Sequence, residues 1–430
     1  MRRLGPAMEV RDFRFWWFAV LAMWTSLQML EVSIGWEVYS QHRSALDLGW
    51  IGLAEFVPMF VLALPAGQAA DRLPRRAVFA GALLVGAAVG LGLALLSASG
   101  DTAVAPYLAL AVGAGISMAF GSPSARAMPP TLVGPELLSS AMTLRSIASQ
   151  TGMVVGPALG GLLYGLSPSV VYLVAAGCCV AATGCVLAMR PAAAADPAAG
   201  RSASAGDPRA GIPPTASTES VLEGLRFVRH TQILLGAILL DLLAVLFGGA
   251  VALLPIFARS ILHVGSTGLG ILRAAPAVGA LLAAAVITRR PIAGRAGRLL
   301  LTVVLLYGLS MVVFGLSRSY VLSLAALGVS GFVDLYSMNI RSTTVALASP
   351  DRLRGRVNAV EMVFISASNQ LGAFESGVAA ALVGAVPAVV GGGVITMLIA
   401  VGWGRLFPAL ARVDRLEQIR PPGQAVEAGA

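Results

Sequence analysis

The sequence has no lysine and few charged residues of any kind. Of its 430 residues, 12% are charged, whereas a soluble domain carries about 25%. Hydrophobic residues make up 57% of the chain, and the mean hydropathy is +0.82. Because so few charges cannot cover a water-facing surface of this size, the composition predicts an integral membrane protein that is solvated by lipid.

Two kinds of site are excluded by what the chain lacks. Without a lysine, no Gly-x-x-x-x-Gly-Lys phosphate loop can form, so we do not expect ATP to drive the protein. Cys178, Cys179 and Cys185 lie in one apolar run with no histidine or carboxylate nearby, and we interpret them as small apolar filler. The three histidines fall at predicted helix ends or in a linker. We therefore predict no catalytic residue, no metal and no cofactor.

Arginine supplies all 30 basic residues, and its distribution predicts the topology. Most arginines fall at the termini and in alternate loops, which places them at one face of the membrane. Arg43, Arg259 and Arg318 fall at the other face. Short cytoplasmic loops carry the excess of basic residues. We therefore predict that both termini are cytoplasmic, and we interpret the net charge of +9 as a topology signal rather than as a sign of nucleic-acid binding.

The apolar runs divide into twelve predicted helices, because each crossing needs about 20 apolar residues. A stretch at 190–230, rich in proline, alanine and serine, separates two sets of six and predicts a partly disordered linker with a short amphipathic helix near 219–229. The predicted helices cover residues 13–41, 47–70, 75–98, 103–127, 138–164, 168–189, 231–259, 266–289, 296–316, 319–345, 354–385 and 387–410. The predicted division is an N-terminal bundle at 1–190, a cytoplasmic linker at 191–230, a C-terminal bundle at 231–415 and a cytoplasmic tail at 416–430.

The two sets of six helices carry an internal repeat. Residues 49–58, GWIGLAEFVP, align with residues 267–276, TGLGILRAAP, at an offset of 218, and the alignment sets Glu55 on Arg273. Near the end of each set an arginine precedes a proline by nine residues, at an offset of 215. Two matches at nearly one offset predict two parallel halves that face each other across a substrate path.

The loop at 67–76, GQAADRLPRR, carries the first family signature. It resembles the loop between helices 2 and 3 of the major facilitator transporters, Gly-x-Leu-Ala-Asp-Arg-x-Gly-Arg-Arg, although alanine and proline replace the pattern's leucine and second glycine. The resemblance implies a cytoplasmic gate in which Asp71 contacts the start of helix 11, near 354–358, and locks an outward-open state. The matching residues are Gly67, Asp71, Arg72, Arg75 and Arg76.

A second signature lies in predicted helix 5, where residues 152–161 read GMVVGPALGG. It resembles the Gly-x-x-x-Gly-Pro-x-x-Gly-Gly motif that is associated with proton-coupled exporters in the same superfamily. Glycines at i, i+4 and i+8 let a neighbouring backbone approach one helix face, and proline permits a bend. Stretches 11–20, 252–262 and 349–362 resemble the enterobactin-exporter-like branch of drug and proton antiporters. The helix-packing residues are Gly152, Gly156, Pro157, Gly160 and Gly161.

Charged residues inside the spans are the candidate functional residues, because a charge at the bilayer centre costs roughly 2.5–3.5 kcal/mol. Helical spacing puts Thr25, Gln28, Glu31 and Gly35 on one stripe of helix 1 that should face the cavity. The predicted residues of the proton-coupling cavity are Gln28, Glu31, Glu37, Glu55, Asp241, Arg273, Asp334 and Glu375. Added to the loop residues above, the predicted gate residues are Arg145, Arg341 and Glu361.

These positions give three mechanistic hypotheses. First, Arg273 pairs with Glu37, Glu55 or Glu375 when the outer side is closed, and protonation releases it. Second, Glu31 and Asp241 are the main proton carriers. Third, helix 11 faces the path with a stripe of residues spaced by seven, so that Glu375 lies in its outer half and Glu361 at the inner gate.

The sequence therefore predicts an all-α membrane protein with twelve transmembrane helices in two pseudo-symmetric six-helix bundles. The family resemblance implies a monomer in a bacterial cytoplasmic membrane that exports a small amphipathic molecule, siderophore-like or drug-like, against proton entry. The expected partners are that small molecule and the lipid bilayer, without nucleic acid. An uptake symporter of the same fold, a membrane-embedded enzyme and a non-transporting sensor are the alternatives.

Overall fold

The computed structural model describes residues 6–190, 218–290, 292, 294–350, 353–416 and 419. Helices account for nearly all of this part of the chain, and it contains no strand. Residues 191–217 of the predicted linker and most of the predicted tail lie outside the described residues. The main helices are α1 (Arg11–His42), α2 (Ala45–Val61), α3 (Ala63–Arg72), α4 (Arg75–Ser99), α5 (Val104–Ala127), α6 (Leu138–Leu166), α7 (Pro168–Ala188), α8 (Thr218–His230), α9 (Gln232–Gly248), α10 (Ser266–Arg289), α11 (Ala296–Leu316), α12 (Tyr320–Ala348), α13 (Arg354–Val383) and α14 (Ala385–Leu406).

These helices make the twelve predicted crossings. Within the described residues, nine helical stretches are long and apolar enough to span a membrane by themselves. The remaining three crossings are α6, α13 and the pair α2 and α3. α6 and α13 are less apolar because each carries several polar residues, such as Arg145 and Gln150 in α6 and Glu361 and Glu375 in α13. α2 and α3 are separated at Leu62, where Pro65 has no N–H to bond the carbonyl of Val61.

The seventh crossing is broken, and the prediction of one continuous helix over 231–259 was wrong. α9 ends at Gly248, and a 3₁₀ turn at Val251–Leu253, a short helical turn and a π-helical turn at Phe257–Ile261 follow it. Two glycines at 248 and 249 weaken the helix, and Pro255 cannot continue its hydrogen-bond ladder. Hydropathy alone does not show this break, because the whole stretch is apolar.

The two sets of six helices pack in the same way. In the first set, α1 packs on α6, α2 on α5 and α4 on α7. In the second set, α9 packs on α13, α10 on α12 and α11 on α14, which are the helices at the corresponding positions. The repeat that the sequence predicts therefore reappears as two bundles with equivalent neighbours. α8 lies in the predicted linker, as expected, and packs against α13.

The bundles meet at one end of the molecule. We call the end with the α3–α4 loop and Arg190 the basic face, and the end with the α1–α2 and α13–α14 turns the opposite face. In the half nearest the basic face, each bundle has its own apolar core, one around Trp16 and the other around Trp403. Near the opposite face, a single core contains Trp36 of the first bundle and Phe257 of the second. The structure is therefore closed at the opposite face.

Two glycine contacts allow this closure. A methyl group added at Gly377 of α13 would lie 2.8 Å from Gly49 Cα and 3.0 Å from the Ala45 carbonyl oxygen of α2. Gly161 of α6 lies equally close to the backbone of Gly270 in α10. Only glycine permits such an approach, because any side chain would separate the two backbones.

We therefore expect Gly377→Ala to open the opposite face, because the added methyl group overpacks this contact by about 1–3 kcal/mol. The measurement is the distance between spin labels at Leu46→Cys and Leu382→Cys, in a background with the three native cysteines changed to alanine. Gly377→Ala should populate longer distances than the parent protein. Gly391→Ala is the matched control, because nothing lies within 4 Å of its added methyl group. Identical distributions for the two variants would contradict the assignment.

Candidate functional site

A cavity of about 530 Å³ lies between the two bundles. Residues from both bundles line it, and they come from α1, α2, α5, α6, α10, α12 and α13. Met338 and Asn369 line the cavity and are also exposed, so the cavity communicates with the surroundings. Its polar lining residues are Gln28, Glu31, Glu55, Gln150, Arg273, Asp334, Asn369 and Gln370. Five of the eight residues predicted for the cavity, namely Gln28, Glu31, Glu55, Arg273 and Asp334, are thus brought together.

An ion pair crosses this cavity from one bundle to the other. Arg273 of α10 pairs with Glu31 of α1, and the Arg273 side chain is 10% exposed. The predicted partners Glu37, Glu55 and Glu375 were therefore wrong. Glu31 and Arg273 meet because α1 and α10 line opposite walls of the cavity. Glu55 lies close enough to interact electrostatically with both residues, so two carboxylates share the field of one guanidinium group.

The other residues of the cavity wall are apolar, and several of them are methionines. Methionine side chains are flexible and polarisable, so a wall built of them adapts to ligands of different shapes. The sequence reasoning missed these residues because methionine inside an apolar span gives no signal of its own. It also missed three amides, for which the only signal was a polar side chain within a span. The missed residues are Trp24, Met59, Met118, Met153, Met338, Gln150, Asn369 and Gln370.

A second ion pair lies inside the second bundle. Arg341 pairs with Asp241, and both side chains are about one-tenth exposed. Arg341 Nε also donates a hydrogen bond of 3.1 Å to Ser337 Oγ. α9 thus supplies the carboxylate partner of Arg341 inside the second bundle, and the predicted gate role of Arg341 stays a prediction. Asp241 does not line the central cavity. Asp334 lines both that cavity and the small pocket beside Asp241, so it lies between the two ion pairs.

Two other predicted cavity residues lie elsewhere in the described part. Glu37 is 3% exposed and accepts a hydrogen bond of 2.5 Å from the Tyr172 hydroxyl inside the first bundle. Glu375 does not line the cavity, because the stripe of α13 that carries it packs toward α9. Gly372 on that stripe lies against the backbone of Leu246. Glu361, on the same stripe, lies within electrostatic reach of both Arg341 and Asp241, and its predicted role at the inner gate stays a prediction.

Two of the five gate residues predicted at 67–76, Arg75 and Arg76, fasten the first bundle. Arg75 donates a hydrogen bond of 2.9 Å to the Ala127 carbonyl at the end of α5, and Arg76 donates one to the Leu187 carbonyl near the end of α7. Basic groups at helix C-termini satisfy free carbonyls and complement the helix dipole. Arg72 is exposed, and a methyl group at Gly67 would meet no atom within 4 Å. The side chain of Asp71 lies outside the described residues, so the predicted lock remains a prediction.

Two arginines lie at the basic end of the cavity. Arg145 has a buried Nε with no hydrogen-bond partner in the described part of the chain. Arg126 lies close enough to repel it electrostatically, and Arg126 Nη1 is 3.8 Å from Met362 Sδ of the second bundle. Arg145 therefore lies within electrostatic reach of Arg126, which itself approaches the second bundle at the basic side.

The glycine signature of α6 has two faces. Methyl groups at Gly152, Gly156 and Gly160 would meet α1 between Trp24 and Met29, so these three glycines seat α1 on α6. This confirms the close approach that the spacing of four predicts. The adjacent Gly161, together with the carbonyl of Pro157, instead faces Gly270 across the junction of the bundles. The same motif thus packs α6 against α1, which lines the cavity, and also brings the two bundles together.

Two six-helix bundles around a polar central cavity define a major facilitator transporter. Comparison with known proteins gives the same class. The chain belongs to the transmembrane secretion effector family of this superfamily, whose sequence profile matches residues 4–421. It is 26% identical to the enterobactin exporter EntS of Shigella boydii over 78% of this chain and 77% of that protein. It is 28% identical to the multidrug efflux pump Tap of Mycolicibacterium fortuitum over 84% and 87% of the two chains.

Solved structures show the same fold. A bacterial homologue of the human lysosomal transporter Spinster, in an inward-facing and occupied conformation, superposes with a TM-score of 0.69 over 95% of this chain and 99% of its own, at 15% identity. A POT family transporter in complex with a thioalcohol-conjugated peptide gives 0.72 over the same shares, at 11% identity. The protein is thus a multi-pass membrane protein with the major facilitator fold.

We expect Asp241→Asn to destabilise the protein by about 3–5 kcal/mol, because it leaves the buried Arg341 without its counter-charge. Thermal unfolding of the purified protein in detergent measures this loss. Glu223→Gln is the control: it breaks the exposed pair of Glu223 with Arg356, which should cost only about 0–1 kcal/mol. Equal stability of the two variants would contradict the structural role of the buried pair.

Proposed function

We propose that the protein is a proton-coupled exporter of a small amphipathic molecule in a bacterial cytoplasmic membrane. The observation that carries this proposal is the ion pair between Glu31 and Arg273, which links two separate bundles across a cavity of about 530 Å³. Charged groups inside a membrane protein mark ion or substrate paths by default. We do not expect such a pair between bundles that never separate.

The proposed cycle uses alternating access around the cavity. We infer that the basic face is cytoplasmic, because arginine concentrates there. The closed opposite face then belongs to an inward-facing state, in which the cavity takes its cargo from the cytoplasm. The bundles next rock about the cavity, the contacts at Gly161 and Gly377 separate, and the cargo leaves at the outer side.

A cavity that holds two carboxylates beside one guanidinium group is suited to proton exchange. When Glu31 carries a proton, it loses its charge and its attraction for Arg273 weakens. Glu55 lies within electrostatic reach of both residues, so Arg273 keeps a negative partner while one carboxyl is protonated. Asp334 of α12 is a third acid that lines the same cavity, from the second bundle. A proton can thus be loaded and released without leaving the arginine uncompensated inside the membrane.

The cargo class follows from the relatives and from the wall of the cavity. The relatives named above are an enterobactin exporter and a multidrug efflux pump. A wall of methionine, tryptophan and amide side chains suits amphipathic molecules, because it offers both soft apolar surface and hydrogen bonds. We therefore propose a siderophore-like or drug-like cargo. We also propose that the protein acts as a monomer, without a cofactor, and that the proton gradient supplies the work.

The direction of transport distinguishes an exporter from an uptake symporter, and it is measured in membrane vesicles. Everted and right-side-out membrane vesicles are prepared from cells that express the protein, and a panel of catecholate compounds and lipophilic cationic dyes is added to each. An exporter accumulates one or more of these compounds in energised everted vesicles and releases protons from their lumen. An uptake symporter accumulates them only in right-side-out vesicles. Absence of protein-dependent flux in both preparations favours a sensor.

We expect Glu31→Gln, Glu55→Gln and Asp334→Asn to weaken cargo-linked proton release, because each removes a titratable group from the cavity. Loss by more than about tenfold in at least one variant is expected, which corresponds to about 1.4 kcal/mol. The measurement is lumenal pH in energised everted vesicles after cargo addition. Glu136→Gln, at an exposed acid outside the cavity, should be unaffected. Unchanged proton release in all three cavity variants would reject their role.

A further inference from the structure

A second pocket lies between the bundles at the opposite face and takes no part in the cycle above. Its volume is about 510 Å³, and we call it the arginine pocket. Trp36 and Arg43 line it from α1, and Arg259, Ser260 and His263 line it from the segment after α9. The two bundles thus build it jointly.

The lining of this pocket is basic without an acid. Arg43, Arg259 and His263 are among its lining residues, and none of these residues is a carboxylate. None of the three side chains forms an ion pair with a described carboxylate. Two acids in this half of the first bundle have other neighbours: Asp47 lies 3.9 Å from His42, and Glu37 is buried against Tyr172.

Membrane topology does not explain these charges. Arginine concentrates at the basic face, and of the described arginines only Arg43, Arg259 and Arg318 lie at the opposite face. Two of those three converge on one pocket. Like charges that share a pocket repel each other, and this arrangement is stable only with a counter-charge or with full hydration.

The local geometry presents the guanidinium group of Arg259 for binding. Its Cζ lies 5.5 Å from the centre of the Trp36 ring. A guanidinium group over an aromatic ring is attracted by the ring's quadrupole, and this contact holds the Arg259 side chain at the pocket beside Trp36. The Tyr39 hydroxyl and Ser260 Oγ are 2.9 Å apart, and this hydrogen bond between the bundles holds the two walls together.

The backbone adds an independent observation. Arg43 and His263 both have a φ of 52°, in the left-handed region that favours glycine and asparagine. Arg43 is the C-cap of α1, and its backbone N–H donates a hydrogen bond to the Tyr39 carbonyl, so this conformation ends the helix at the pocket. The left-handed backbone at Arg43 and His263 turns the chain there, and both residues are part of the pocket lining.

We propose that the arginine pocket binds an oxyanion group, a carboxylate or a phosphate, between Arg43 and Arg259. The anion is either free in the medium or part of the headgroup of an anionic lipid. Because the two arginines belong to different bundles, the site is complete only when the opposite face is closed. The anion therefore favours the closed state over the open one, by the difference between its affinities for the two.

The test for a free anion uses purified full-length protein in a zwitterionic detergent. Sodium phosphate replaces sodium chloride at constant ionic strength, and the Tm is recorded. A ligand that binds only the folded state raises Tm, and we expect roughly 2 °C or more for the parent protein. The double variant Arg43→Asn with Arg259→Gln should lose this rise. Asparagine suits the left-handed backbone at position 43, so the variant removes charge without added strain.

Arg318→Gln is the matched control, because it removes the third arginine of the opposite face outside the pocket. It should keep the full response to phosphate, and this comparison cancels the general effect of phosphate on folded proteins. The second arm is native mass spectrometry with phosphatidylglycerol against phosphatidylcholine. Phosphatidylglycerol adducts on the parent protein that the double variant loses identify a lipid headgroup as the ligand.

The two arms together decide the proposal. A phosphate response that the double variant loses supports a free anion. Loss in the lipid arm alone supports a lipid headgroup. If the double variant keeps both responses, or if the parent protein shows neither, the proposal is overturned. Neither arm measures transport, so this outcome is independent of whether the protein is an exporter.

Discussion

The ion pair between Glu31 and Arg273 inside the membrane constrains the rest of the structure. The two residues belong to different bundles, and an unpaired charge at this depth in the membrane would be costly for either bundle. The pair therefore requires a polar cavity around it and a close approach of the bundles beside it. The glycine contacts of the opposite face supply that approach, and Glu55 and Asp334 extend the polar wall.

The two ion pairs described inside the membrane-spanning helices differ in their position. Arg341 and Asp241 lie within one bundle, whereas Arg273 and Glu31 join the two bundles, so the proposed cycle requires only the second pair to separate. Asp334 borders both sites and connects the cavity with the interior of the second bundle. This division explains why a chain with 12% charged residues keeps several of them inside its spans.

Hydropathy predicted the long apolar helices, the internal repeat predicted two halves, and the resemblance of residues 67–76 to the major facilitator loop implied the fold. Glu31 of α1 and Glu55 of α2 reach the cavity as predicted, whereas Glu37 of α1 does not. Sequence could not predict ion-pair partners, since these depend on how two bundles face each other. Glu37 was misplaced because a helix exposes residues to several neighbours at once, and Tyr172 satisfied it within its own bundle. The break after Gly248 was missed because a broken apolar span remains apolar.

The central claim is that the attraction between Glu31 and Arg273 holds the opposite face closed. A charge exchange tests it most directly: spin-label distances between positions 46 and 382 are measured in Glu31→Arg, in Arg273→Glu and in the double exchange. The account predicts that each single change populates longer distances and that the double exchange restores the short distance of the parent protein. Short distances in both single variants would contradict it.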